Sequence, residues 1–209
     1  MLNRHGKKSS TVTSCSQRCC FHAAVFLLVL VLSPAFPAHA VSAEPGTSLL
    51  SAATAKGTRA WSSAFGASYD SKLGHAYVWE AGVNHYLFDY ISFSYGALLG
   101  YASPRRTKDG VYGGPQIGVR WHFFRGERWS IDMEALAAAV FHQHPLTENS
   151  LHFNFDLQPG LGVTYLLNRE TMIRGGARWH HLSNARVKGK ERNLGYDGPM
   201  AYFEMVKSF

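Results

Sequence analysis

A histidine and a serine two residues apart could perform nucleophilic chemistry near the end of this chain. They lie in the stretch WHHLSNARVKGKERNLGYDGP, residues 179–199, as His181 and Ser183, and Asp197 follows close to its end. An imidazole that takes the hydroxyl proton, oriented by a carboxylate, lets serine attack an ester carbonyl. Asn184 could donate to the oxyanion that forms. The alternative is that these are ordinary polar residues at a strand end, and the direction of their side chains decides between the two.

The elements that carry these residues are predicted to be strands. Beyond residue 58, apolar residues alternate with small or polar ones, as in YISFSYGALLGY at 90–101. A period of two is typical of strands with two different faces. We count eight such segments, the last two at 171–183 and 197–209, so the sequence predicts an all-β protein.

The predicted sheet is an eight-stranded antiparallel transmembrane β-barrel. Its apolar faces are long and end in aromatic residues, whereas the opposite faces carry charged, amide and glycine residues. Apolar-out, polar-in strands with aromatic girdles suit an outer-membrane barrel, and closure satisfies every backbone group in lipid. A water-soluble sandwich or lipocalin-like barrel is the alternative. We expect the inward charged residues to form an ion-paired plug; this set includes Glu80, Arg120, Asp132, Glu134, Asp156 and Arg174.

Loop lengths predict the direction of each strand. Connections after the second, fourth and sixth strands are short, and those after the third, fifth and seventh are longer. Short turns face the periplasm and long loops face outside, so the seventh strand runs outward. His181 and Ser183 share the parity of the apolar residues on that strand, and Asp197 shares it on the eighth. The three are predicted to meet on the outside of the barrel at its outer rim, with His180 and Glu204 facing inward.

The N-terminal region has the pattern of a secretory signal peptide. Basic residues precede the apolar run Ala23–Leu32, and Ala38-His39-Ala40 forms a small-x-small cleavage signal, with a second option at Val41-Ser42-Ala43. The predicted organisation is a signal peptide at 1–40, a short periplasmic segment at 41–58 and the barrel at 59–209.

Composition excludes several classes of function. All three cysteines precede the apolar run, so the mature chain has no thiol for a disulfide, a metal site or a nucleophile. The formal charge of +7 includes four cations of the leader, which leaves +3, too little to indicate nucleic acid. No metal or cofactor is implied.

The motifs at 181–197 resemble those of a known family, the lipid A 3-O-deacylases (PagL). His-x-Ser-Asn at His181 to Asn184, followed by Asn193-x-Gly-x-acid, is similar to the family's His-x-Ser-Asn and Asn-x-Gly-x-Glu. The resemblance implies that His181 is the base, Ser183 the nucleophile, Asn184 an oxyanion donor and Asn193 a supporting residue. It makes Asp197 the acid where better-known members have Glu, and Glu191 in the preceding loop is the competitor.

The resemblance also implies a substrate and a location. The expected function is hydrolysis of a 3-O-linked hydroxyacyl chain of lipid A in the outer membrane of a Gram-negative bacterium. Basic loop residues would then contact lipid A phosphates: Arg186, Lys188, Lys190 and Arg192. The alternatives are a non-enzymatic structural or adhesive barrel and a lipid A acyltransferase. The sequence leaves the oligomeric state open, a homodimer included.

Overall fold

The computed structural model describes residues 48–147, 150–187, 189, 193 and 195–209. Eight antiparallel strands close into a barrel, each paired with its neighbours in the chain and the first paired with the last. They are β1 (Arg59–Asp70), β2 (Gly74–Phe88), β3 (Ile91–Pro104), β4 (Gly110–Arg125), β5 (Trp129–His142), β6 (Phe153–Leu166), β7 (Thr171–Ser183) and β8 (Tyr196–Ser208). The predicted eight-stranded antiparallel barrel is confirmed. The predicted signal peptide at 1–40 lies outside the described residues.

None of the helical segments among the described residues has the length and apolar character needed to cross a membrane.

The outer surface of the barrel is apolar over most of its height. Large side chains on it, such as Leu99, Ile117 and Leu161, are about half exposed to the surroundings. The strands have 12 to 16 residues, more than the ~9–11 that a tilted strand needs to cross a bilayer. The strand ends therefore extend beyond the hydrocarbon layer, and rim residues lie at the level of the lipid headgroups.

The middle of the interior is filled by paired charges. Arg120 donates to Glu204 at 2.6 Å and to Glu134 at 3.2 Å, and Arg178 contacts Glu134 and Glu80, each at 2.7 Å. Arg174 pairs with Asp132, Glu134 and Glu204. The ion-paired plug expected from the sequence is confirmed, except that Asp156 pairs with His180 and with no arginine of the described residues.

Near the outer end, the interior contains an apolar layer, with buried polar residues such as His180 and Asp156 beside it. A buried cluster there contains side chains from six strands and one residue, Leu146, of the loop after β5: Ala76, Val78, Leu98, Ala102, Tyr112, Ala138, Val140, Leu146, Leu182, Tyr196 and Met200. The expectation of a polar inner face holds for only part of this end, because apolar side chains share it. An eight-stranded barrel is only wide enough for side chains to fill, so apolar groups can pack there as in an ordinary core.

A short helix closes the opposite end. Helix α1 (Leu49–Ala53) begins at Ser48, whose hydroxyl accepts a hydrogen bond from the N–H of Ser51 at 3.1 Å. Leu50 of this helix is fully buried against Leu166, Met172 and Val206. The sequence predicted this segment only as a periplasmic extension, but it includes a helix that closes one end of the barrel. The short turns lie at that end: 89–90, 126–128 and 167–170.

Candidate active site on the outer rim

The end of β7 directs two polar side chains outward. Leu182 between them is fully buried in the apolar layer of the interior. Since alternate residues of a strand face opposite sides, its burial fixes His181 and Ser183 on the outer surface. The imidazole Nε2 of His181 lies 2.9 Å from the hydroxyl oxygen of Ser183.

Asp197 reaches the same histidine from the neighbouring strand. It is directly opposite His181 in the register of β7 and β8, and its Oδ1 lies 2.7 Å from His181 Nδ1. The indole N–H of Trp179, one step down the same face, donates to that oxygen at 3.1 Å. Cross-strand neighbours on one face are close enough for such contacts. The structure therefore brings together the three residues proposed from the sequence.

Asp70 at the end of β1 forms a hydrogen bond with the backbone of Asp197. Its Oδ2 accepts a hydrogen bond from the backbone N–H of Asp197 at 2.9 Å. Its Oδ1 accepts from the N–H groups of Lys72 and Leu73 at 2.6 and 3.0 Å. Sequence analysis missed both Asp70 and Trp179 as members of the site. Trp179 had a detectable signal, since it has the parity of His181, whereas nothing local connects Asp70 to a residue 127 positions away.

The loop after Ser183 is anchored by a second motif residue. The side-chain oxygen of Asn193 accepts the backbone N–H of Asn184 at 2.8 Å. That N–H is therefore already used in a hydrogen bond within the protein. Asn184 is 1% exposed, and its side-chain oxygen accepts a hydrogen bond from the N–H of Arg186 at 3.0 Å. The oxyanion role expected for Asn184 stays a prediction, whereas Asn193 has a visible supporting contact.

Two left-handed residues turn the chain away from the site. Ala185 and Arg186 have φ of 52° and 61°, and the N–H of Val187 donates to the carbonyl of Asn184 at 3.1 Å. Positive φ at both central positions defines a type I′ turn, which normally favours Asn and Gly. Gly195 packs closely against the end of β7. A Cβ at Gly195 would lie 2.5 Å from the Leu182 carbonyl oxygen. Glycine is therefore required at this point of the motif by close approach of the two backbones.

Of the basic residues expected to contact phosphate, Arg186 is exposed on this turn. Lys188, Lys190 and Arg192 lie outside the described residues, as does Glu191, the competing acid. In the part of the chain that the structure describes, no group of three or more His, Cys, Asp or Glu side chains is arranged to hold a metal ion.

A second Ser–His–Asp arrangement lies inside the barrel. His180 Nδ1 is 2.8 Å from Ser68 Oγ, and its Nε2 is 3.0 Å from Asp156 Oδ2. His180 is fully buried, and Ser68 also contacts the hydroxyl of Tyr196 at 3.0 Å. No substrate can reach this serine without opening the barrel, so the inner arrangement ties four strands together. In the outer arrangement, Ser183 is 9% exposed, but the side chains of His181 and Asp197 beside it are 34% and 50% exposed.

The outer arrangement has the geometry of a hydrolytic triad. With Nδ1 protonated and donating to Asp197, the Nε2 lone pair of His181 faces the Ser183 hydroxyl and can accept its proton. Both contacts fall within the 2.6–3.2 Å that proton transfer requires. The site opens on the outward face of the barrel, at the end where the long connections lie.

Fold and site together define an outer-membrane β-barrel with a serine-hydrolase-type arrangement on its outer surface. Comparison with protein families gives the group: the lipid A 3-O-deacylase (PagL) family model matches residues 52–205. The chain belongs to this family, which confirms the resemblance seen in the sequence. The family and the fold place the protein in the outer membrane of a Gram-negative bacterium. No curated protein sequence gives a significant match.

Solved structures share the fold at low sequence identity. Neisserial surface protein A (NspA) aligns with a TM-score of 0.54 and 14% identity, covering 74% of this chain and 98% of that one. The N-terminal β-barrel domain of Pseudomonas aeruginosa OprF aligns with a TM-score of 0.51 and 11% identity, again over 74% and 98% of the two chains. Both are similar to this chain in architecture alone.

Proposed function

We propose that this protein is a lipid A 3-O-deacylase that uses Ser183 as nucleophile, His181 as general base and acid, and Asp197 as the orienting carboxylate. The observation that carries the proposal is the continuous hydrogen-bonded series Ser183–His181–Asp197 on the outer face of the barrel. Family membership supports the substrate class. The three side chains come from one chain, so the chemistry does not require a homodimer.

The proposed reaction proceeds through an acyl-enzyme. His181 Nε2 takes the proton of Ser183 as its oxygen attacks the carbonyl carbon of the 3-O-ester. The tetrahedral intermediate collapses when the C–O bond to the sugar breaks, and His181 returns the proton to the departing sugar hydroxyl. Water, deprotonated by His181, then attacks the acyl-enzyme and releases the hydroxy fatty acid, which restores the Ser183 hydroxyl. Asp197 stabilises the imidazolium that forms in each half of the reaction.

The position of the site agrees with a membrane-embedded substrate. Lipid A occupies the outer leaflet, so its ester linkages lie close to the outer rim and outside the barrel wall. An inward-facing triad would be separated from them by the sheet and by the packed interior. The outward parity of His181 and Ser183 is therefore the arrangement that such a substrate needs.

The test is mass spectrometry of lipid A from cells that express the wild type or Ser183→Ala at matched membrane levels. We expect loss of one hydroxyacyl chain with the wild type alone. Ser68→Ala is the matched control, since it removes a histidine-bonded serine from the interior, and it should retain activity wherever the barrel folds. Heat-modifiable migration in electrophoresis verifies folding of each variant.

Several outcomes would contradict the proposal. Intact lipid A with both the folded wild type and Ser183→Ala, repeated in detergent solution to remove any barrier to substrate access, would favour a structural or adhesive barrel. Gain of an acyl chain on a second lipid would favour the acyltransferase. Full activity of folded Ser183→Ala would exclude this serine as the nucleophile.

A further inference from the structure

A second feature of the outer rim lies on the opposite side of Asp197 from Ser183. Tyr69, next to Asp70 on β1, has the outward parity of the site residues and is 40% exposed. The ring of His75 on β2 packs against it with centroids 4.8 Å apart. The Arg105 guanidinium Nη2 donates to the Tyr69 hydroxyl at 2.6 Å. We call these three residues the Arg105 cluster.

The fold fixes Arg105 in this position. Its backbone N–H donates to the carbonyl of Leu73 at 2.8 Å, which ties the start of the loop after β3 to the turn after β1. Gly74 permits this approach. Its φ is 116°, and a Cβ at this position would collide with the Ser103 carbonyl oxygen. The guanidinium carbon lies 5.8 Å from the Tyr69 ring centroid. An arginine held at both its backbone and its side chain loses little further entropy when it binds a ligand.

Within the described part of the chain, the charge of Arg105 has no acidic partner. A guanidinium has five N–H donors, and the Tyr69 contact uses one of its nitrogens. The remaining donors are exposed at the level of the lipid headgroups, and their fork geometry matches phosphate oxygens.

The spacing relates this cation to the reaction centre. Tyr69, Asp197 and Ser183 lie on three successive strands, β1, β8 and β7. At about 4.8 Å between neighbouring strands, β1 is roughly 10 Å from β7 around the barrel wall. Tyr69 follows Ser68, which is opposite Met200, so it lies about four residues from the level of Ser183 along the strands, and the two backbones are roughly 16 Å apart. A phosphorylated disaccharide with its ester-linked chains is of comparable size.

We propose that the Arg105 cluster binds a phosphate group of the glycolipid substrate and thereby positions its acyl ester at Ser183. The inference rests on the proposed function and adds a recognition site to it, on the β1–β3 side of the triad and apart from the basic loop after Ser183. Arg105 is a binding residue in this view, Tyr69 positions its guanidinium, and neither takes part in bond cleavage.

The test measures equilibrium binding of lipid A to full-length Ser183→Ala protein in detergent micelles. The probes are bisphosphorylated lipid A and the same lipid after both phosphates are removed. We expect Arg105→Gln to weaken binding of the phosphorylated lipid roughly tenfold and to leave binding of the dephosphorylated lipid unchanged. Tyr69→Phe should give a smaller loss with the same selectivity. Arg106→Gln, the adjacent exposed cation, is the matched control and should change neither affinity.

The outcomes separate this inference from the proposed function. Equal weakening for both lipids, or no change with Arg105→Gln, would overturn the phosphate site. Displacement of the lipid by an equal concentration of inorganic phosphate would assign the cluster to the free ion instead. Because the assay uses the Ser183→Ala variant, the lipid is not expected to be cleaved while its binding is measured. A wild type that cleaves no lipid A refutes the proposed function, whereas an Arg105→Gln effect that is absent, or equal for the two lipids, refutes only the site.

Discussion

Replacing Asp197 by asparagine tests the identity of the acid with little change in shape. The amide oxygen of an asparagine can still accept from His181 Nδ1 and from the Trp179 indole, which lie 2.7 and 3.1 Å from the carboxylate oxygen. The substitution thus removes negative charge while a geometry compatible with both hydrogen bonds remains. What is lost is the extra stabilisation of the imidazolium that forms as Ser183 gives up its proton.

The size of the effect follows from the exposure of the site. A hydrogen bond to a charged group contributes about 1.5–3 kcal/mol, and a tenfold change in rate corresponds to about 1.4 kcal/mol. The Asp197 side chain is 50% exposed, so solvent screens its charge and the loss falls below the ~10⁴-fold seen when a buried triad acid becomes an amide. We expect kcat/KM to fall about ten- to two-hundred-fold.

The assay is release of hydroxy fatty acid from purified lipid A in detergent, followed over a range of substrate concentrations. Glu191→Gln is the matched control, because it makes the same change at the competing acid. A fall in kcat with Asp197→Asn and wild-type rates with Glu191→Gln is the expected pattern. Wild-type rates with Asp197→Asn, or a larger loss with Glu191→Gln, would refute the assignment of the acid to β8.

Three further substitutions test the surroundings. Asp70→Ala removes the acceptor for the Asp197 N–H and should lower kcat about tenfold in the same assay; wild-type kcat would contradict its positioning role. Gly195→Ala puts a Cβ 2.5 Å from the Leu182 carbonyl oxygen and should abolish most deacylation while the thermal midpoint of the barrel stays near that of the wild type. Arg174→Met leaves three buried carboxylates without this partner and should destabilise the barrel by about 3–5 kcal/mol. Denaturant unfolding in detergent measures this loss, and Arg59→Met, at an exposed position, is the control.

Much of the fold could be predicted because a strand has an exact two-residue repeat. The strand predicted at 171–183 has those bounds in the structure, and the parity of His181 follows from them. The same rule fails where both faces are apolar. Leu98 and Leu99 are adjacent apolar residues, one buried inside and one on the outer surface, and alternation alone does not reveal that the inner face holds an apolar layer.

The features that sequence analysis missed depend on contacts between distant segments. Helix α1 has five residues, too few for a helical period to show, and its stability comes from packing against Leu166 and Met172. Asp70 joins the site only because barrel closure brings β1 beside β8. The pairing of His181 with Asp197 was predictable, since consecutive strands are neighbours, but the residues that hold this pair in place were not.

The stacked layers of the interior have an electrical consequence. Leu50 and its neighbours close one end, the apolar layer around Leu182 closes the other, and arginine–carboxylate pairs fill the space between them. Ions crossing the membrane would need a continuous path of water, and these packed layers lie across it. Reconstituted into a planar bilayer, the protein should add no unitary current steps under an applied voltage, unlike a porin of larger diameter. In physical terms the filled interior of the barrel acts as an insulator.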